Sequence, residues 1–346
     1  MFYLGLDVHG KWTTVKGFNP QTGEGVEWVR VPNDPQAMAA ALAGLGGPLY
    51  GAMEAGTNSW AMYRLWRPLF AELTVVHPAD LWDRQRDRQA KTDRRDALRM
   101  AQKLYRGELK GIYIPDERTQ DLRVLVRSKV RATRWVTRLT NEIASLLRSW
   151  GYVGQRSLLS KQGLKDLEQV RDLPEHSARV LLLWRQLLST AQAIEQELER
   201  AVDSEAAQDA DCALLQTVPS VGPFTALLVK AEVAQVARFA TADQLVSYVG
   251  LAPRVRQSGE RCRYGKLGPW GNRWLRYGLV LLANRIANSR KDTRLRRVYL
   301  RSCLRQKHNA AKIAVARKAA HLMHYLLTHR EVWKEESQER RALRAA

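Results

Sequence analysis

The sequence predicts an α/β amino-terminal domain, then a helical coiled-coil region, then a mainly α-helical carboxy-terminal domain. Three observations carry this reading. Short apolar runs separated by turn residues fill positions 1–80. Apolar side chains at alternating spacings of three and four recur through 117–150 and again through 180–201, the period of a helix seam. Helical spacing broken by glycines continues from Leu214. The domains expected are therefore 1–150, 151–205 and 206–346.

The elements follow in order. Tyr3-Leu4-Gly5-Leu6 is a first strand ending at Asp7. Trp12 to Phe18 and Val26 to Val31 flank a turn-rich segment containing Pro20, Gly23 and Gly25, which predicts a hairpin. Asn33-Asp34-Pro35 caps an alanine-rich helix, with proline at an early helical position. Leu49 to Met53 is a second buried run and ends at Glu54. Met62, Leu65 and Leu69 mark a helix that Pro68 kinks or ends, and Leu73 to Val76 is a further strand. A three-strand meander followed by β-α-β units is the order of a RuvC-like (ribonuclease H) sheet.

Residues 117–150 read as one helix with the seam Val136, Leu139, Ile143, Leu146 and Trp150. A second face carries Arg123, Arg127, Arg131, Arg134 and Arg138 with hardly any acidic compensation. Most charged stripes are solvated faces; five arginines without matching glutamates favour contact with a phosphate backbone. Residues 151–175, with Gly154, Gly163 and Pro174, read as an irregular connection. A second helix follows, seamed by Val180, Trp184, Leu187, Ala191, Ile194, Leu198 and Ala201. The two seams can pair within the chain or between protomers, and the pattern leaves both open. Val218 to Ala226 is similar to a helix-hairpin-helix turn, with Ser220 where such turns usually have glycine. That turn serves equally well as a phosphate contact or as a plain helix connector. The charged tail after Glu331 reads as a frayed helix or as disorder.

Composition narrows the function. Fifty-six basic against thirty-five acidic residues give a formal charge of +21, which implies a polyanionic partner. Basic residues recur from 84 to 318 instead of gathering in one tail, so nucleic acid fits better than a membrane surface. No apolar run approaches a membrane span, and a strand begins almost at once, so neither a membrane segment nor a signal peptide is expected. Cys212, Cys262 and Cys303 are far apart and lack a Cys-x-x-Cys pair, which argues against zinc and disulfides and for a reducing cytoplasm.

Four carboxylates carry the chemistry. Asp7 and Glu54 stand at strand ends, at the rim of the expected sheet, and Asp93 and Asp96 lie three apart at the start of a helix. Any one is explained by capping or solvation. Together they repel one another unless a hard divalent cation lies between them, and such a site suits phosphoryl transfer. His9 falls on Asp7's side if strand alternation continues, but an ordinary strand-end histidine is the expectation. Trp135, Trp184 and Trp274 are expected in the core.

A second constellation surrounds Ser258. Arg254, Arg256, Arg261, Arg263, Lys266 and Arg273 flank it, Arg276 follows in the next helix, and five glycines occur from Gly250 to Gly271. A lone loop serine is usually only that. Set among arginines and followed by Gly259, it could attack a phosphate whose charge those cations hold.

Taken together, Asp7, Glu54 before Ala55-Gly56-Thr57, Lys91-Thr92-Asp93 with Asp96, Pro219-Ser220-Val221-Gly222, Gly250-Leu251-Ala252-Pro253, Gln257-Ser258-Gly259 and Gly271-Asn272 with Leu275-Arg276 resemble one family. It is the DEDD insertion-sequence transposases guided by a bridge RNA, and the resemblance spans nearly the whole chain. It implies a RuvC-like domain in which Asp7, Glu54, Asp93 and Asp96 hold Mg²⁺ (or Mn²⁺), a coiled coil, and a transposase domain whose nucleophile is Ser258. It also implies a structured bridge RNA, donor and target double-stranded DNA, and a tetramer built as a dimer of dimers. The carboxylates of one protomer would then work with the serine of another. The family commonly has Ile-Ser-Lys-x-Gly-Asn where this chain has Leu267-Gly268-Pro269-Trp270-Gly271-Asn272. Two rivals remain: a hydrolytic RuvC-like nuclease in which Ser258 is inert, and a non-enzymatic RNA-binding assembly protein.

Overall fold

A computed structural model describes residues 1–81, 93–152, 163, 170, 172–258 and 261–335, with main chain alone at 94, 254–258, 261–264 and 266. The chain divides into two compact units, Met1–Ile114 and Pro115–Ala346.

In the first unit, alternating apolar residues build a five-stranded sheet from β1 (Phe2–Val8), β2 (Trp12–Phe18), β3 (Gly25–Pro32), β4 (Leu49–Glu54) and β5 (Glu72–Val76). The spatial order is β3-β2-β1-β4-β5. The meander β1-β2-β3 is antiparallel, while β4 runs parallel to β1 and β5 parallel to β4. Helix α1 (Pro35–Leu42) begins as the sequence requires: the Asp34 carboxylate accepts the Ala37 amide at 2.9 Å, and proline occupies the first turn. Helix α2 (Ser59–Trp66) gives way at Pro68 to a single 3₁₀ turn. Met38 and Leu42 of α1 and Met62 and Trp66 of α2 join Leu4, Leu6, Met53 and Val75 in one core. After the short helix α3 (Pro78–Leu81), helix α4 (Asp93–Tyr105) packs on β1, β2 and β4, burying Ala97, Met100 and Ala101.

That packing depends on Gly5. A β-carbon there would stand 1.8 Å from the Ala97 carbonyl oxygen, so only glycine lets α4 approach β1 this closely. Gly5 and Asp7 lie on the same face of β1, and the helix is thereby held against the face that carries the aspartate.

The second unit begins with α5 (Glu117–Ser149), capped by Asp116, whose carboxylate accepts the Thr119 amide at 2.7 Å. It continues with α6 (Glu175–Gln208), α7 (Ala210–Gln216), α8 (Pro223–Val233) and α9 (Ala242–Val249). A two-stranded arm follows, β6 (Pro253–Ser258) paired antiparallel with β7 (Arg261–Leu267). Helices α10 (Arg273–Asn288), α11 (Arg294–Cys303) and α12 (His308–His329) complete it. Leu122, Val126 and Val130 of α5 share a core with Leu227, Leu245, Leu279 and Met323. The expected 1–150 domain ends with this helix; by packing, α5 belongs with the residues that follow it.

The two seams pair within the chain: Val136, Ile143 and Leu147 of α5 bury against Leu181, Leu188 and Ala191 of α6. Of the expected stripe on α6, Trp184 and Ala191 do join the seam, but other positions are displaced by one. Val180, Leu187 and Ile194 are exposed, whereas Leu181 and Leu188 are buried. The helix carries apolar residues on adjacent stripes, and periodicity alone does not choose between neighbours. Trp135 is likewise exposed, not core, while Trp274 is buried. Most of the expected connection 151–175 lies outside the described residues, as does the tail from 336. Among the described residues, no helix is long and apolar enough to cross a membrane.

Candidate active site

The register of the sheet positions the first two carboxylates. Leu6 pairs with Met53 across the parallel strands β1 and β4, so Asp7 and Glu54 are the next residues at adjoining strand ends. Asp93 and Asp96 occupy the first turn of α4, where the helix dipole favours negative charge. The structure brings three side chains within ligand distance of one another: Asp7, His9 and Asp93. Glu54 and Asp96 stand outside that tight set, yet their charges bear on Asp7.

Asp7 shows the strain of this arrangement. Burial pushes its carboxyl above its ordinary value; His9 opposes the shift, while Asp93, Asp96 and Glu54 reinforce it. The sequence reads His9 as an ordinary strand-end histidine, but its Nε2 lies 3.5 Å from Asp7 Oδ2 and 3.1 Å from Asp93 Oδ2. That nitrogen is buried and makes no hydrogen bond, because the approach lacks the required angle. Mutually repelling carboxylates beside an imidazole nitrogen that makes no hydrogen bond to either are what a divalent cation would relieve, so the residues fit such an ion. The period-two spacing of Asp7 and His9 was the sequence signal for this neighbourhood.

Ser258 ends β6, opposite Arg261 of β7, with Gly259 and Glu260 outside the described residues. It therefore sits at the far end of an arm instead of in an irregular polar stretch; alternating charged residues had concealed the strands. Polar side chains fix the foot of the arm. Arg276 donates to the carbonyls of Val249 at 3.1 Å and Gly268 at 3.2 Å, and also to that of Trp270. Asn272 caps α10 by accepting the amides of Trp274 and Leu275, each at 3.0 Å. Its amide donates to Glu232 Oε2 at 2.7 Å and to the Tyr248 hydroxyl at 3.0 Å. Gly250 and Gly271 meet back to back: both have positive φ, and a β-carbon on Gly271 would lie 2.6 Å from the Gly250 nitrogen.

The arginines separate into groups. Arg123 is buried and donates to the Ala231 carbonyl at 2.9 Å; Arg127 forms a bidentate pair with Glu232 at 2.7 and 2.9 Å. Glu232 is itself wholly buried, so this pair is structural. The expectation that Arg123 faces a phosphate backbone is thus corrected, since it is buried, while Arg127 and Arg276 also bond the protein's own carboxylate and carbonyls. Arg131, Arg134 and Arg273 are exposed and gather with Arg127 around the Trp274 ring, at 4.9–5.8 Å. Arg138 is exposed beside Glu142. The side chains of Arg254, Arg256, Arg261, Arg263 and Lys266 lie outside the described residues. In the turn before α8, Ser220 has φ +73°, the left-handed conformation for which glycine is usual.

Comparison with known proteins gives the family. The family model described as Transposase, of the DEDD IS110 type, matches residues 4–151. The model described as Transposase IS116/IS110/IS902 family matches residues 212–300. The transposase for insertion sequence element IS1111A of Coxiella burnetii is 28% identical over 285 residues, covering 81% of this chain and 77% of that protein. Transposase y4qE of Sinorhizobium fredii is 30% identical over 67% of this chain and 57% of its own length. A family 20 transposase of Pseudomonas aeruginosa is 26% identical over 69% of this chain and 72% of its own length. With the carboxylate cluster inside the first matched region and Ser258 inside the second, the chain belongs to the IS116/IS110/IS902 family and is a DNA transposase of an insertion sequence.

Proposed function

We propose that this transposase is an RNA-guided recombinase in which Ser258 attacks DNA and the carboxylate cluster of a RuvC-like domain supports the reaction. The strand order of the first unit and the placing of Asp7 and Asp93 support the RuvC-like reading. The observation that carries the proposal is the convergence of Asp7, Asp93 and His9, under the charge of Glu54 and Asp96, in a chain of a DNA transposase family.

In the proposed step the Ser258 oxygen forms a bond to a DNA phosphorus, and the bond from that phosphorus to the 3′ oxygen breaks. The serine proton ends on the released 3′ hydroxyl, leaving a 5′-phosphoserine link. A 3′ hydroxyl of the second DNA then attacks the same phosphorus, and the serine hydroxyl is restored. The number of phosphodiester bonds is conserved, so rejoining needs no external energy source. Asp7, Glu54, Asp93 and Asp96 would hold Mg²⁺ or Mn²⁺, which when bound neutralises phosphate charge and activates the attacking or leaving oxygen. The partners in this reading are a structured bridge RNA that pairs with donor and target DNA, and further copies of the chain in a tetramer. The compartment is the bacterial cytoplasm. Arg131, Arg134 and Arg273, exposed around Trp274, form a group of cations that can meet phosphates.

A covalent-trapping experiment tests the proposal. The protein, its RNA, labelled donor and target DNA and Mg²⁺ are incubated, then denatured, and protein-linked DNA is measured. The expected result is a linked species in wild type that is lost in Ser258→Ala, in Asp7→Ala and with chelator. Free cut ends in equal yield from wild type and Ser258→Ala would instead establish a hydrolytic nuclease.

A further inference from the structure

We propose that His9 supplies an imidazole nitrogen to the divalent cation, completing a ligand set of mixed oxygen and nitrogen with Asp7 and Asp93. The inference rests on the cation reading of the carboxylate cluster and adds to it a residue outside the four carboxylates.

The geometry around His9 is that of a held ligand. It follows β1 in the short connection to β2, a place where a side chain could wander. Its main chain is instead fixed at both ends: the amide donates to the Trp12 carbonyl at 2.9 Å, and the carbonyl accepts from Asn33 Nδ2 at 2.7 Å and Asn58 Nδ2 at 3.1 Å. Two asparagines from separate segments thus orient one histidine, and Asn33 is itself held by the Thr13 hydroxyl at 2.7 Å. The imidazole so placed aims Nε2 at two carboxylate oxygens, at 3.1 and 3.5 Å, without the angle of a hydrogen bond to either. Adjacent ligands of an octahedral ion at ~2.1 Å stand about 3 Å apart. These separations therefore match ligands that share an ion.

The alternative is an ion pair, with an imidazolium as counter-charge to the two aspartates. Such a pair would be expected to donate a well-aligned hydrogen bond, and Nε2 makes none. A nitrogen ligand has a chemical consequence that an ion pair lacks: it favours Mn²⁺ and similar transition ions over Mg²⁺, which prefers oxygen ligands.

Pulsed electron paramagnetic resonance of Mn²⁺ bound to the full-length protein reads this directly. In wild type, ¹⁴N modulation from a coordinated imidazole is expected, converting to a ¹⁵N pattern when the protein is grown with ¹⁵N-histidine. His9→Gln is expected to keep Mn²⁺ but lose the nitrogen coupling, with the dissociation constant raised about tenfold. The wild-type measurement stands even where the variant fails to fold, because no other histidine among the described residues joins the ligand cluster. Bound Mn²⁺ without nitrogen coupling, or coupling unchanged in His9→Gln, overturns the assignment and leaves the carboxylate site standing. Failure of Mn²⁺ to bind wild type, or equal binding by Asp7→Asn, overturns the assignment together with the cation reading.

Discussion

The contact between Gly5 and α4 ties the stability of the first unit to the geometry of its site, and Gly5→Ala tests that tie. The new methyl would lie 1.8 Å from the Ala97 carbonyl oxygen and 3.0 Å from the Met100 β-carbon, whereas ordinary contact begins at 3.4 Å. The obstacle is main chain, so no side-chain rotation relieves it. The helix must retreat by about 1.5 Å, and a gap of that size forfeits most of the dispersion contact along the β1–α4 seam, where Ala97, Met100 and Ala101 are buried. Overpacking of this kind costs about 1–3 kcal/mol, and a main-chain obstacle puts it at the upper end. The same retreat carries Asp93 away from Asp7 and His9, so Mn²⁺ should bind about tenfold to a hundredfold more weakly. Gly10→Ala is the matched control: a β-carbon there meets nothing within 4 Å, so stability should stay within about 0.5 kcal/mol of wild type. Urea denaturation followed by circular dichroism gives the stabilities, and Mn²⁺ titration gives the affinities. If Gly5→Ala matched Gly10→Ala in both, the close approach of α4 to β1 would not be what holds the cluster together.

Four further outcomes are expected. Because burial and neighbouring carboxylates raise the Asp7 carboxyl above 3.8, the folded state holds its proton more tightly than the unfolded state. That contribution to stability is full below 3.8 and is lost as pH rises through the raised value, leaving a penalty at neutral pH without metal. Asp7→Asn should therefore melt higher than wild type in chelator, yet miss the gain of about 2.7 kcal/mol that wild type shows at a hundred times its cation dissociation constant; calorimetry at pH 7 checks both. Asn272→Ala removes the cap of α10 and should cost about 1–2 kcal/mol in urea melts, with loss of protein-linked DNA even where the fold survives. Arg131→Gln and Arg134→Gln should each weaken nucleic-acid binding and lower the salt slope by about 0.9, with stability unchanged. Arg123→Gln should instead cost about 1–3 kcal/mol of stability with the slope intact, as salt-titrated binding and urea melts would show.

Much of the first unit was legible because local rules agreed there. The strand from Tyr3, the Asp34-Pro35 cap and the break at Pro68 each rest on near neighbours in sequence, and each is found. Asp7 and Asp93 were readable as two of four candidate carboxylates because strand ends and helix starts are definable from pattern; the tight set the structure forms has His9 in it and leaves Glu54 and Asp96 outside. The place of His9 beside Asp7 and Asp93 was not legible because it is set by Asn33 and Asn58, whose side chains reach it across long stretches of chain. The arginine stripe misled for a similar reason. Spacing places Arg123, Arg127 and Arg131 on one helix face, but says nothing of Glu232, which claims Arg127 and turns part of that face inward. The arm bearing Ser258 was hidden because both of its faces are polar, so no alternation of apolar residues announces a strand.

Glu232 has one more consequence. Its carboxylate is held by Arg127 of α5 and by Asn272 at the foot of the arm, so one buried charge is shared by the long helix and the segment that bears Ser258. Arg131 lies one turn beyond Arg127 and shares with it the face of Trp274. Removing either partner of that carboxylate leaves a buried charge short of a bond, so a change in the long helix at Arg127 carries its cost to the foot of the arm at Asn272 as well.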